Sequence, residues 1–165
     1  MFTAGGGLLA AAGLVAAMAI GPAAFADTTP TTANAEVEST ITLTGDAAFT
    51  LTGAPGDTAT ATSALTAESN SGTGYNVTVV ANQADLLPAD TTANTETIPV
   101  TSLQVQDSAS TLTALSTTEP VTVHTQAERS AEDGDALTAN YSLTIPFVTA
   151  DTYSGGLTFT AAANG

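Results

Sequence analysis

Alternation at a period of two constrains this chain more than any other feature. Beginning at Asn140, the residues Tyr141, Leu143, Ile145 and Phe147 fall on every second position, with Asn140, Ser142 and Thr144 between them. Successive side chains on a strand point to opposite faces, so such a run has one buried and one wet side. After the short loop Val148 to Thr152 the alternation resumes with Leu157, Phe159 and Ala161. Asn140 to Ala161 therefore reads as a hairpin forming the central wall of a β-sandwich, with Tyr141, Phe147 and Phe159 as structural residues of its core.

The same period recurs upstream. Val37, Ser39, Ile41 and Leu43 alternate with Glu and Thr. Phe49 and Leu51 suggest a short second strand. Thr58 to Glu68 alternates Thr with Ala and Leu65, and Tyr75, Val77, Val79 and Ala81 form another strand. Ile98 to Gln106 reads as a strand with an edge or bulge at Pro99. Leu112 and Leu115 mark a brief strand or turn, and Val121 and Val123 a further strand that turns His124 toward solvent. Asn82 to Thr97 shows no clear period and reads as a long connection. Gly45-Asp46, Gly53 to Asp57 and Asn70 to Gly74 carry turn chemistry. The expectation is an all-β antiparallel sandwich of about eight or nine short strands. Abundant Thr suits exposed strand faces and disfavours helices.

Residues 1–26 read as a secretory signal peptide. The apolar run Leu8 to Ile20 is short for a membrane span, Gly21-Pro22 breaks it, and Ala24-Phe25-Ala26 has the small-x-small pattern of a cleavage site. No Lys or Arg precedes the run, and an uncleaved anchor is the alternative. Residues 27–35 read as a flexible Thr/Pro/Ala lead-in and residues 36–165 as the sandwich domain. The expected location is extracellular or on the cell surface, with no membrane contact once the signal is removed.

Charge excludes whole classes of partner. Sixteen Asp and Glu face a single Arg and no Lys, for a formal net charge of −15. Nucleic-acid binding needs cations against phosphates, which this chain lacks, and anionic lipid repels it for the same reason. Cysteine is absent, which rules out disulfides and thiolate metal sites. A single histidine, His124, leaves nucleophilic and acid–base catalysis without a distinctive constellation, so no catalytic residue is assigned. Glu128, Glu132, Asp133 and Asp135 bracket Gly134 and make a candidate calcium loop, although the spacing is not that of an EF-hand and a solvated acidic turn is the competing reading. Arg129, the sole cation, is expected to pair with a neighbouring carboxylate and pin this loop.

Several stretches together resemble the secreted WxL-like surface proteins of Gram-positive, actinobacterial type. They are Gly74-Tyr-Asn-Val-Thr-Val-Val80, Ile98-Pro-Val100, Arg129-Ser-Ala131, Tyr141-Ser-Leu-Thr-Ile-Pro-Phe147 and Tyr153-Ser-Gly-Gly-Leu-Thr-Phe159. The resemblance implies an Ig-like or WxL-like sandwich that associates with the cell envelope, with a cell-wall polymer or another surface protein as partner. The family's wall attachment is tied to Trp motifs; this chain has no Trp, and Phe159 stands where the terminal aromatic would be. Two further readings accompany it. One is a self-assembling matrix or fibre subunit joined by strand addition. The other, more remote, is a secreted carbohydrate-active enzyme. No cofactor is expected apart from the calcium candidate.

Overall fold

The computed structural model describes residues 27–165; the signal-peptide reading of residues 1–26 lies outside the described residues. Asp27 to Glu36 is exposed and without regular secondary structure. Val37–Gly165 is a compact unit and holds all the strands found among the described residues. In order these are β1 (Ile41–Gly45), β2 (Thr58–Ser69), β3 (Tyr75–Ala81), β4 (Asp85–Pro88), β5 (Ile98–Pro99), β6 (Leu103–Gln106), β7 (Leu112–Ala114), β8 (Val121–Gln126), β9 (Asp135–Thr144), β10 (Tyr153–Ser154) and β11 (Leu157–Ala163). One turn of 3-10 helix, Val100–Ser102, joins β5 to β6.

All pairings are antiparallel. A five-stranded sheet runs β1-β2-β9-β6-β7, a three-stranded sheet β11-β3-β8, and a smaller set β10-β4-β5. The two main sheets enclose one core: Leu65 of β2, Val105 of β6 and Tyr141 and Leu143 of β9 meet Val79 and Ala81 of β3 and Val121 of β8. The all-β antiparallel sandwich expected from the alternation is the fold, with eleven strands where eight or nine were anticipated. The extra ones are short: β10 has two residues, and β4, Asp-Leu-Leu-Pro, lies inside the stretch expected to be an unbroken connection.

Alternation on β2 is strict. Ala59, Ser63, Leu65, Ala67 and Ser69 are buried while the intervening Thr60, Thr62, Ala64, Thr66 and Glu68 are exposed. Its small inward side chains leave room for larger ones. Tyr141 sits opposite Ala61, its hydroxyl lies 3.3 Å from Ser63 Oγ, and Phe49 stacks on its ring at 3.9 Å between centroids and 12° between planes. Such aromatic pairs add stabilisation beyond the area they bury. Phe49 and Leu51 reach the core from an irregular segment and not from a strand.

Two expectations about the C-terminal region are corrected. β9 and β11 do not form a hairpin: β9 pairs with β2 and β6, whereas β11 pairs with β3 in the other sheet. Periodicity defines which side of a strand is buried but not which strand it pairs with, and the connection from Ile145 to Gly156 is long enough to cross between sheets. Phe147 is not a core residue; it is 93% exposed. β9 ends at Thr144, just before Pro146, which has no N–H to continue a ladder, and Phe147 follows on the loop. Tyr141, by contrast, is 2% exposed, and Phe159 is half-buried against the core.

Candidate functional site: the outer face of the five-stranded sheet

On a strand one face belongs to the core, so a site on this sheet must use the other. Cross-strand register places Thr60 opposite Ser142 and Thr62 opposite Asn140. On the far side of β9, Gln104 faces Ser142, and Leu112 of β7 lies opposite Gln106. Thr60, Thr62, Gln106, Leu112, Asn140 and Ser142 line a shallow trough of about 540 Å³ on this face. Asn140 Nδ2 donates to Gln106 Oε1 at 2.8 Å, which orients both amides. At the end of the same strand pair Thr58 and Thr144 hydroxyls lie 3.4 Å apart. Leu112, 46% exposed, supplies an apolar wall.

The chemistry of this face is hydroxyl and amide, able to donate and accept without a formal charge. The trough carries no formal charge although the chain's net charge is −15. Only three acidic residues lie on strands at all, Glu68, Asp85 and Asp135, and none of them lines the trough. Sequence reasoning assigned Asn140, Ser142 and Thr144 to the wet side of their strand but could not identify the strands beside them. Non-local register brings in Thr60, Thr62, Gln106 and Leu112, and no local signal marks that register.

The acidic loop does not converge. Glu128, Glu132 and Asp133 are exposed, and among the described residues no group of three or more His, Cys, Asp or Glu side chains is placed to hold a metal ion. Asp135 is engaged elsewhere: it accepts from the Tyr75 hydroxyl at 2.6 Å and from the Ala131 N–H at 3.1 Å. Arg129 is exposed, on a shallow depression of about 370 Å³ that Glu68 and Glu132 also line. Ser130, the neighbour of Arg129, ties this loop to the sheet. The Ser130 N–H donates to the Ser69 carbonyl at 2.9 Å, and Ser130 Oγ accepts from the Ser69 N–H, also at 2.9 Å.

His124 does not point to solvent. The β3–β8 register passes from Val77↔His124 to Thr78↔Thr122, so Val123 is an extra residue, a β-bulge. One inserted residue reverses the phase of everything beyond it, and His124 joins Val121 on the inward side. Its ring lies 5.6 Å from that of Tyr75, and its Nε2 is buried without a hydrogen-bond partner among the described residues. Tyr75 is fully buried. Burial first, then its hydrogen bond to Asp135 and the charge of that carboxylate, push the Tyr75 hydroxyl far above its usual range. The Tyr75 hydrogen bond, followed by that of the Ala131 N–H, holds Asp135 below the usual carboxylate range, and His124 adds a favourable charge interaction. Tyr75 on β3 and Asp135 on β9 thereby form a polar tie between the two main sheets.

No family model matches the sequence, and no curated protein matches it. Among the described residues no helix is long and apolar enough to cross a membrane.

Proposed function

We propose that the protein is a secreted, non-catalytic module that associates with the cell envelope through neutral glycan. The observation that carries this reading is the charge-free hydroxyl and amide trough centred on Asn140 and Gln106, in a chain otherwise strongly acidic. An acidic protein is repelled by anionic wall polymers. A neutral polar face avoids that repulsion and offers sugar hydroxyls both donors and acceptors. The resemblance to WxL-like surface proteins supports the same destination, reached here without Trp. The non-catalytic reading is supported by the placement of the single imidazole, whose buried Nε2 has no hydrogen-bond partner among the described residues.

The test is co-sedimentation of the protein with isolated cell walls stripped of anionic polymer, leaving neutral glycan. Leu112→Asp and Thr62→Glu place charge in the trough at exposed positions and should each lower the bound fraction several-fold. Phe147→Ala, on a loop outside the trough, should leave binding unchanged. Equal binding by all variants, or binding only to walls that retain anionic polymer, would refute the proposal.

A further inference from the structure

Every sheet edge exposes backbone N–H and C=O groups that can pair with another chain, and folded proteins ordinarily guard them. In this sandwich guards are visible on every edge but that of β11, which β1 of the facing sheet flanks without hydrogen-bonding to it. β1 is short and is preceded by Glu36 and Glu38. β7 has three residues. β5 carries Pro99. β8 is bulged at Val123, and its Thr122 carbonyl accepts the Ser108 N–H at 2.8 Å. β10 has two residues.

β11 differs. Its seven residues, Leu-Thr-Phe-Thr-Ala-Ala-Ala, contain no charge, proline or glycine, and it pairs in continuous register with β3 on one side. Among the described residues no backbone hydrogen bond reaches β11 from any other element. The sheet behind it is equally neutral: β3 and β8 hold no Asp, Glu, Lys or Arg.

We propose that β11 is a homodimerisation edge, and that its occupant is the β11 of a second copy of this chain, antiparallel about a two-fold axis at Thr160. Two features favour a second copy. First, the strand is complementary to itself in size. Centring on Thr160 sets Phe159 opposite the partner's Ala161 and Leu157 opposite the partner's Ala163, so each large side chain meets a small one on the core-facing side. Cross-strand neighbours of this kind are the unit of sheet stabilisation. Second, a chain of net charge −15 can approach its own copy only where it carries no charge, and the β11 sheet meets that condition. The product is a six-stranded sheet, β8-β3-β11 continued by the same three strands of the partner. A two-fold contact of this type is closed, so it yields dimers and not fibres. It lies on the sheet opposite the glycan trough and is independent of that reading.

Sedimentation velocity of the full chain over a range of concentration and salt tests this. The expected result is a monomer–dimer equilibrium that tightens as salt screens the acidic loops. Thr160→Glu sets two like charges opposite each other at the axis and should weaken the dimer about tenfold or more. Thr122→Glu adds the same charge two strands away and should change it far less. Hydrogen exchange should show the amides of Leu157, Phe159, Ala161 and Ala163, which face away from β3, protected at high concentration and exchanging at low concentration. A monomer under all conditions would overturn the proposal, as would equal weakening by both variants or filaments in electron micrographs. Wall binding is read separately, by co-sedimentation of Thr160→Glu: binding that survives loss of the dimer leaves the two proposals distinguishable.

Discussion

At the scale of single residues, the Tyr75–Asp135 contact shows how a cysteine-free sandwich ties its sheets together. The Tyr75 hydroxyl is buried and donates to a carboxylate on the facing sheet. Tyr75→Phe keeps the ring packing and removes the bond. It should cost about 1–2 kcal/mol in urea denaturation, since Asp135 retains access to water. The pH dependence has two ends. Asp135 is held below the ordinary carboxylate range in the folded state, so its contribution is present above that range and is lost as pH falls through the folded value. Tyr75 is raised, so its contribution is present below the ordinary tyrosine range and is lost only as pH rises far beyond it. Tyr75→Phe should therefore be less sensitive to acid than the native chain between the ordinary and folded values for Asp135. An unchanged acid limb would show that the contact contributes nothing to stability.

At the scale of elements, the sequence was informative where a strand's two faces differ in polarity and silent where pairing decides. The β3 boundaries follow from the alternation of Tyr75, Val77, Val79 and Ala81, all buried. The inward phase of β2 was legible although its side chains are small. Phe159 marks the core-facing side of β11 but not its partner, because a strand's own residues do not encode the neighbour chosen by a distant segment. His124 was misplaced for a related reason: a bulge at Val123 leaves no mark in the sequence, and one uncounted residue inverts the expected face. The trough was legible only as wet positions on separate strands.

Turns were more legible, and they can be ranked by energy. Gly74 has φ of +83°, and a Cβ there would lie 2.0 Å from the Gln126 carbonyl oxygen. Gly74→Ala combines left-handed strain with a backbone clash and should lose at least about 2 kcal/mol. Gly56 has φ of +94° with nothing within 4 Å of the added carbon. Gly56→Ala should cost only the conformational term, about 1–2 kcal/mol. Equal losses at both positions would mean that the Gly74 turn relaxes away from β8.

At the scale of the whole molecule, charge is sorted by structure. Of the sixteen acidic residues, all but Glu68, Asp85 and Asp135 lie off the strands. Many serve as acceptors, some within their own turns and some to a distant strand or loop. Asp46 accepts from the Ala64 N–H at 2.7 Å, Asp57 from Ala54 at 2.9 Å, and Asp90 from Thr92 at 2.9 Å. Asp107 accepts from the Thr111 N–H first and also from Ala109, and Asp151 from Asn94, and both are held below the usual carboxylate range. The net charge thus carries two opposed effects: mutual repulsion across the surface, and local stapling of the loops.

Salt and acid separate these effects. Salt screens repulsion between exposed charges over distances beyond about 10 Å at 0.1 M, while bonds closed within a turn persist. Adding sodium chloride at pH 7 should therefore raise the melting temperature. Acid also removes negative charge, but it protonates the acceptors. Asp107, Asp135 and Asp151 titrate below their ordinary range in the folded state, so the unfolded chain binds more protons there, and stability falls as pH drops through that window. The two treatments should act in opposite directions although both weaken repulsion. Calcium and magnesium at matched ionic strength should act alike, because Glu128, Glu132, Asp133 and Asp135 do not form a cluster. Differential scanning fluorimetry across salt, pH and the two cations reads all three. A melting temperature that rises in acid would mean that repulsion outweighs the loop bonds. A shift with calcium well beyond that with magnesium would mean that the 127–134 loop rearranges to gather its carboxylates.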